Sequence, residues 1–212
     1  RAALLQRPLL PRAKEPSEAV VLARGIEPYH PYFYEDPILP DSFDAMALVA
    51  QNIHIPIATG ERLHTIYEFE ALLSLGAVQI VRPDVCLAGG LTHSKKIAAL
   101  AEAHHVQVVP HNPLSPVSTA ACIQLAACIP NFALQEYPKG EGEPPKSEIV
   151  TSALELEDGF LITAVFAFKC TDHCYPVFCL FQPFGVELNS THIALYITTE
   201  VQAVGQDGLH NL

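Results

Sequence analysis

Four acids and one histidine recur at near-regular intervals along this 212-residue chain: Glu35, Glu61, Asp84, His111 and Glu136, separated by 26, 23, 27 and 25 residues. Each stands one to three residues beyond the end of a short apolar run. Carboxylates are hard oxygen donors suited to a divalent cation such as Mg²⁺. Imidazole is the side chain that most readily takes and gives a proton near neutral pH. Gathered in one place, such a set could hold a metal ion beside a proton-transferring base. Each residue also has a plainer reading. A strand-end acid is usually a solvated loop residue, and a histidine before Asn-Pro usually belongs to a turn. Recurrence in five consecutive units, with none skipped, argues for a constellation.

The elements that would position these residues repeat with the same rhythm. Short β-prone runs at Tyr32–Tyr34, Ile55–Ala58, Ala77–Val81, Val106–Val109 and Phe132–Leu134 alternate with amphipathic, Ala- and Leu-rich stretches. Helices are expected from Asp41 or Ser42 as N-cap, over about Thr65–Leu75 with Gly76 as the stop, from Thr92 through His104, and over Val117–Cys128. Strands alternating with helices of this length indicate βα units and a parallel sheet. The unit length matches one eighth of a barrel of roughly 250 residues. In a barrel all five side chains would converge on one mouth, where active sites of that fold lie. A dinucleotide-binding sheet would instead carry a G-x-G-x-x-G turn, and Gly89-Gly90 lacks that spacing.

Composition narrows the partners. The net charge of −11 and pI near 5.3, without a basic stripe, weigh against nucleic acid. No apolar run reaches the roughly 20 residues of a membrane span. Of the six cysteines, Cys86, Cys122 and Cys128 fall in apolar patterns and read as small buried hydrophobes. Such usage suits a reducing, cytoplasmic setting. Residues 1–14 are basic, apolar and free of acid, as organelle-targeting peptides are, although two prolines favour an irregular N-terminal remnant over residues 1–15.

The runs FYEDP (33–37), ATGERL (58–63), RPDVCLAGGLT (82–92), VVPHNPLSPV (108–117) and ALQEYP (133–138) resemble the later strands of the mandelate racemase/muconate lactonizing subgroup of the enolase superfamily. Within it, their spacing is most similar to that of the galactonate-type sugar-acid dehydratases. The resemblance covers about residues 16–160, with a short echo at Gly185–Asn189. It implies part of a TIM-like (β/α)7β barrel, about five C-terminal βα units. It also implies Mg²⁺-dependent dehydration of an aldonate to a 2-keto-3-deoxy acid through an enediolate. Glu35 and Glu61 would be two of three metal ligands, His111 the base, Asp84 its partner at the far ring nitrogen, and Glu136 a stabiliser near the substrate carboxylate, in a protonated state. Asp36 would serve as a turn residue. The partners implied are a small sugar acid and, in full-length form, further copies of the same chain.

Against the family pattern, the sequence lacks the capping domain, the early strands, the third metal ligand and the Asp-x-His that supplies the dehydratases' general acid. This chain is therefore expected to be weakly active or inactive as it stands, with exposed strand edges. Racemisation, epimerisation or cycloisomerisation remain open within the superfamily, as does a non-catalytic degenerate fragment. Residues 161–184 form an atypical apolar insertion in which Cys170, His173 and Cys174 lack the second pair of a zinc site. The tail, 185–212, is β-prone at Ile193–Thr198 and carries no usable motif.

Overall fold

The computed structural model describes residues 13–113 and 115–150 in full, and 155–157, 160–162 and 201–205 as backbone strands. The element order is α1 (Pro16–Ile26), β1 (Tyr34–Glu35), α2 (Phe43–Ala50), β2 (Ile57–Thr59), α3 (Ile66–Ser74), β3 (Ile80–Val81), α4 (Gly90–Ala103), β4 (Gln107–Val108), α5 (Pro116–Ala127) and β5 (Gln135–Tyr137). After these come β6 (Glu155–Glu157), β7 (Phe160–Ile162) and β8 (Val201–Gly205). The first four strands form one parallel sheet in sequential order. A parallel bridge from Val108 to Phe132 carries that sheet toward β5. β5 itself pairs with β8 in a second sheet, ordered β5-β8-β7-β6.

The helix starts follow from local chemistry. The Ser42 hydroxyl accepts the Ala45 amide, and the Ser115 hydroxyl accepts the Ser118 amide. Thr65 and Glu68 form a reciprocal capping box, which holds the Glu68 carboxyl below its ordinary range, chiefly through the Thr65 bond. Gly76 follows α3 with φ of 62°, a conformation in which a side chain would be strained.

The structure departs from the sequence pattern at four places. α4 begins at Gly90 behind Gly89, whose φ of 85° allows the chain to turn into the helix, so Thr92 lies inside the helix and does not cap it. α1 had no counterpart in the repeating pattern. It packs against α2, with Ala19 and Ala23 buried one turn apart so that the backbones approach closely. Beyond the repeating units, β6 and β7 form an antiparallel pair flanking Asp158-Gly159, a hairpin-turn sequence. Cys86 is exposed rather than buried, since it lies with exposed Leu87 in the turn that leads into α4; Cys122 is buried and Cys128 partly so. Burial pushes the Cys122 thiol up to about 12.

Both faces of the first sheet are covered. Ile57, Val81 and Val108 pack among the helices in the main core, with Phe69, Leu72, Ile97, Ala101 and Leu125. Ala58, Ile80 and Val109 point the other way and meet Tyr32, Phe33, Ala133 and Leu134. Two covered faces explain the near-continuous apolar strands. Val201–Gly205 joins β5 and β7, so this part of the tail belongs to the second sheet. Residues 1–12, the Cys170/His173/Cys174 group, the rest of the 161–184 insertion beyond β7, the Gly185–Asn189 echo and Ile193–Thr198 lie outside the described residues. Among the described residues, no helix is long and apolar enough to cross a membrane.

Candidate active site

Strand periodicity positions the polar groups. Side chains two residues apart share a face, so Phe33 and Glu35, Ile80 and Arg82, Val109 and His111, and Leu134 and Glu136 each occupy one side. That side is the one lined by Ala58, Ile80 and Val109. The backbone ladder runs on past the strands: Arg82 N–H donates to Thr59 O at 2.9 Å, and His111 N–H donates to Pro83 O at 3.2 Å. A further parallel bridge links Asp84 to His111. Glu61 arrives differently. The chain turns at Gly60, with φ of 131°, where an added Cβ would stand 2.8 Å from the Phe69 ring and 3.2 Å from the Arg82 amide nitrogen. Only glycine fits that approach.

His111 lies between two carboxylates. Its Nδ1 is 2.9 Å from Asp84 Oδ2, and its Nε2 is 3.4 Å from Glu61 Oε2. Asp84 is fully buried, and its Oδ1 accepts the amides of Cys86 and Leu87 at 2.8 and 3.1 Å. With Oδ1 committed to these two donors, Oδ2 is left for the imidazole. A neutral ring donates through one nitrogen only, whereas the imidazolium donates through both. The pocket therefore accommodates either form: Asp84 orders Nδ1, and Nε2 faces the second carboxylate.

Arg82 is the residue that the sequence reading missed. It is buried, and its two terminal nitrogens reach separate carboxylates: Nη1 pairs with Glu35, and Nη2 with Glu136 Oε2. Its Nε is buried without a partner, and its guanidinium stands 6.0 Å from the centre of the Phe33 ring. Burial pulls the Arg82 guanidinium below its ordinary value, and the Glu136 carboxylate opposes that shift. The missed signal is the same two-residue period, which puts Arg82 between Ile80 and Asp84 on the site face. A basic residue at such a position must find an acid partner when buried.

Glu136 Oε2 also accepts the Asn112 amide at 2.9 Å. Both contacts to this oxygen are donors. Asp36 sits apart in a strained turn, with φ of 42°, where it takes the Thr59 hydroxyl at 2.5 Å and Arg62 at 3.2 Å. Its neighbour Glu35 points to Arg82. Glu35 and Glu61 thus stand at the ends of adjacent strands, each held by a protein cation or imidazole. Their oxygens are hard donors of the kind a Mg²⁺ ion takes. Among the described residues, no group of three His, Cys, Asp or Glu side chains is placed to hold a metal ion, so the two carboxylates fit such an ion in chemistry and are incomplete in number.

The chain is similar in sequence and fold to known proteins. A D-galactonate dehydratase from Pectobacterium atrosepticum is 37% identical over 173 residues, 81% of this chain and 42% of that protein. A mandelate racemase/muconate lactonizing enzyme from Sulfitobacter has a solved structure with 42% identity and a TM-score of 0.65, over 69% of this chain and 36% of that one. An enolase from Agrobacterium radiobacter, solved with sodium and L-malate bound, is 33% identical with a TM-score of 0.67, over 71% of this chain and 41% of its own. The chain spans less than half the length of these relatives. Residues 12–164 match the enolase C-terminal domain-like family, and the chain belongs to it.

Proposed function

We propose that this chain supplies the base-bearing part of a sugar-acid dehydratase, which removes the proton beside the carboxylate of an aldonate. The observation that carries the reading is His111, held at Nδ1 by the buried Asp84 carboxylate 2.9 Å away, with Nε2 turned toward the Glu61 carboxylate. Asp84 keeps the proton on Nδ1, so Nε2 is the atom that takes the substrate proton. It also stabilises the cation that results. General base catalysis of this kind contributes roughly 10²–10⁴ in rate. Enolase-superfamily sites pair a histidine or lysine base with Mg²⁺, and His111 beside Glu35 and Glu61 suits that division of labour.

Loss of that proton spreads negative charge over the substrate carboxylate oxygens. A Mg²⁺ ion held by Glu35 and Glu61, with a ligand beyond the described residues, would supply electrostatic stabilisation there. Arg82 keeps Glu35 and Glu136 apart and fixed, and Glu136 faces the same mouth. The D-galactonate dehydratase relative and the malate-bound enolase favour a hydroxy acid as substrate. The early strands of the family pattern would have to provide the acid that protonates the leaving 3-hydroxyl.

The test is exchange of the C2 proton of D-galactonate and related aldonates for deuterium, followed by proton NMR with Mg²⁺ present. Slow exchange that disappears in His111→Asn, with little 2-keto-3-deoxy product, is expected. Absence of both exchange and Mg²⁺-dependent aldonate binding would overturn the reading. Robust product formation would show that residues of this chain itself supply the general acid.

A further inference from the structure

The turn after β5 reaches back to α5 through a chain of hydrogen bonds that ends on the candidate site. Glu141 is buried, and its Oε1 accepts the Thr119 hydroxyl at 2.6 Å. Thr119 Oγ1 accepts Asn112 Nδ2 at 2.6 Å, and the same nitrogen donates to the Glu136 carbonyl at 2.9 Å. The Asn112 backbone amide donates to Glu136 Oε2, also at 2.9 Å. Thr119 and Asn112 are fully buried, so water offers neither an alternative partner.

The direction of this chain is fixed at both ends, where the Glu136 carbonyl and Glu141 Oε1 accept. Glu141 Oε1 accepts from the Thr119 hydroxyl, as a carboxylate oxygen or with any proton on Oε2. The hydroxyl oxygen is then an acceptor, so Asn112 must present its NH₂ group and not its carbonyl. A flipped Asn112 amide would set its oxygen against the Thr119 oxygen and the Glu136 carbonyl. We infer that Glu141 is a positioning residue, which acts through Thr119 and Asn112 to fix the Glu136 carboxylate at the mouth of the site. The hydroxyl has one fallback, the Ser115 carbonyl at 3.3 Å, a longer and weaker contact. Burial holds the Glu141 carboxyl above its ordinary value, and either protonation state leaves Oε1 able to accept. The role assigned to Glu136 rests on the proposed function, but the hydrogen-bond relay does not.

The test measures amide hydrogen exchange at Asn112 by NMR, with Val109 as the internal reference, since Val109 N–H bonds to Val81 O within the adjacent ladder. Thr119→Val and Glu141→Ala are expected to speed exchange at Asn112 about tenfold relative to Val109, the factor for one lost hydrogen bond to a charged group. Thr119→Ser and Glu141→Gln keep the donor and the acceptor, and should stay near wild type. If Thr119→Val leaves Asn112 unchanged, or if both amides speed up equally, the relay is refuted. Should Glu141→Ala unfold, Thr119→Val against Thr119→Ser still decides. No turnover is needed, so the relay can stand while aldonate exchange fails, and the reverse.

Discussion

Replacing Arg82 by Met removes the buried cation that joins Glu35 to Glu136 while keeping an apolar stem of similar length. The two contacts are unequal. Glu136 retains 13% of its side-chain exposure and Glu35 retains 29%, so water can resolvate Glu35 more easily once its partner is gone. Removing one member of a buried ion pair costs about 3–5 kcal/mol, because the remaining charge stays desolvated. A partly exposed pair is worth about 1 kcal/mol or less. Arg82→Met should therefore lose about 3 kcal/mol, most of it through Glu136. A double-mutant cycle separates the terms: coupling of Arg82 to Glu136, read with Glu136→Gln, should reach about 2 kcal/mol, and coupling to Glu35, read with Glu35→Gln, should stay below about 1 kcal/mol. The chain has no tryptophan, so urea unfolding is followed by far-UV circular dichroism. Equal couplings, or a total loss under about 1 kcal/mol, would refute the view that Arg82 is held chiefly by Glu136.

The Glu141 carboxyl is raised by burial, so it contributes stability that is full below its ordinary value of 4.5 and is lost as pH rises through the folded value. Glu141→Gln should therefore melt higher than wild type at neutral pH, with the difference vanishing toward pH 4.5; a constant difference would exclude burial of this charge as the cause. Gly60→Ala should destabilise by more than about 1 kcal/mol, because the Arg82 backbone nitrogen cannot move away as a side chain could; an unchanged urea midpoint would contradict this. Thr65→Ala should cost about 1 kcal/mol by breaking the capping box, measured by thermal melting. Asp84→Asn should slow C2–H exchange of an aldonate by at least about tenfold without weakening its binding, since Asp84 orients the base and does not touch substrate.

The parts that local chemistry dictates were legible in the chain itself. Ser42, Thr65 and Gly76 announce helix ends by their own hydrogen-bonding and backbone preferences, and the alternation of strand and helix follows from apolar periodicity. The parts that depend on distant partners were not. Arg82 is bound across 54 residues to Glu136, and nothing adjacent to it in sequence marks that pair. Thr119 and Glu141 likewise read as an ordinary helix residue and a loop acid until the chain brings them together. α1 escaped notice because it precedes the first strand-end acid and so stands outside the repeating units, although Val20, Leu22 and Ile26 pack on the core beside its two buried alanines. Thr92 misled for the opposite reason: a good capping residue lay two positions inside a start that Gly89 determined through its backbone.

The charge arrangement at the mouth has an internal logic that connects these observations. Of the four site carboxylates, Asp84 and Glu136 accept backbone amides as well as side-chain donors, which fixes them from within the fold. Glu35 and Glu61 are instead met by Arg82 and His111. A divalent ion is a stronger partner for a carboxylate than a guanidinium or an imidazole, so a cation could compete with Arg82 and His111 for these two acids. They are also the two that the family resemblance implies as metal ligands. If Glu61 turns to a cation, Nε2 of His111 loses its facing carboxylate and is left to the substrate, while Asp84 continues to hold Nδ1. The same exchange would leave Arg82 committed to Glu136, the partner to which burial already binds it more firmly.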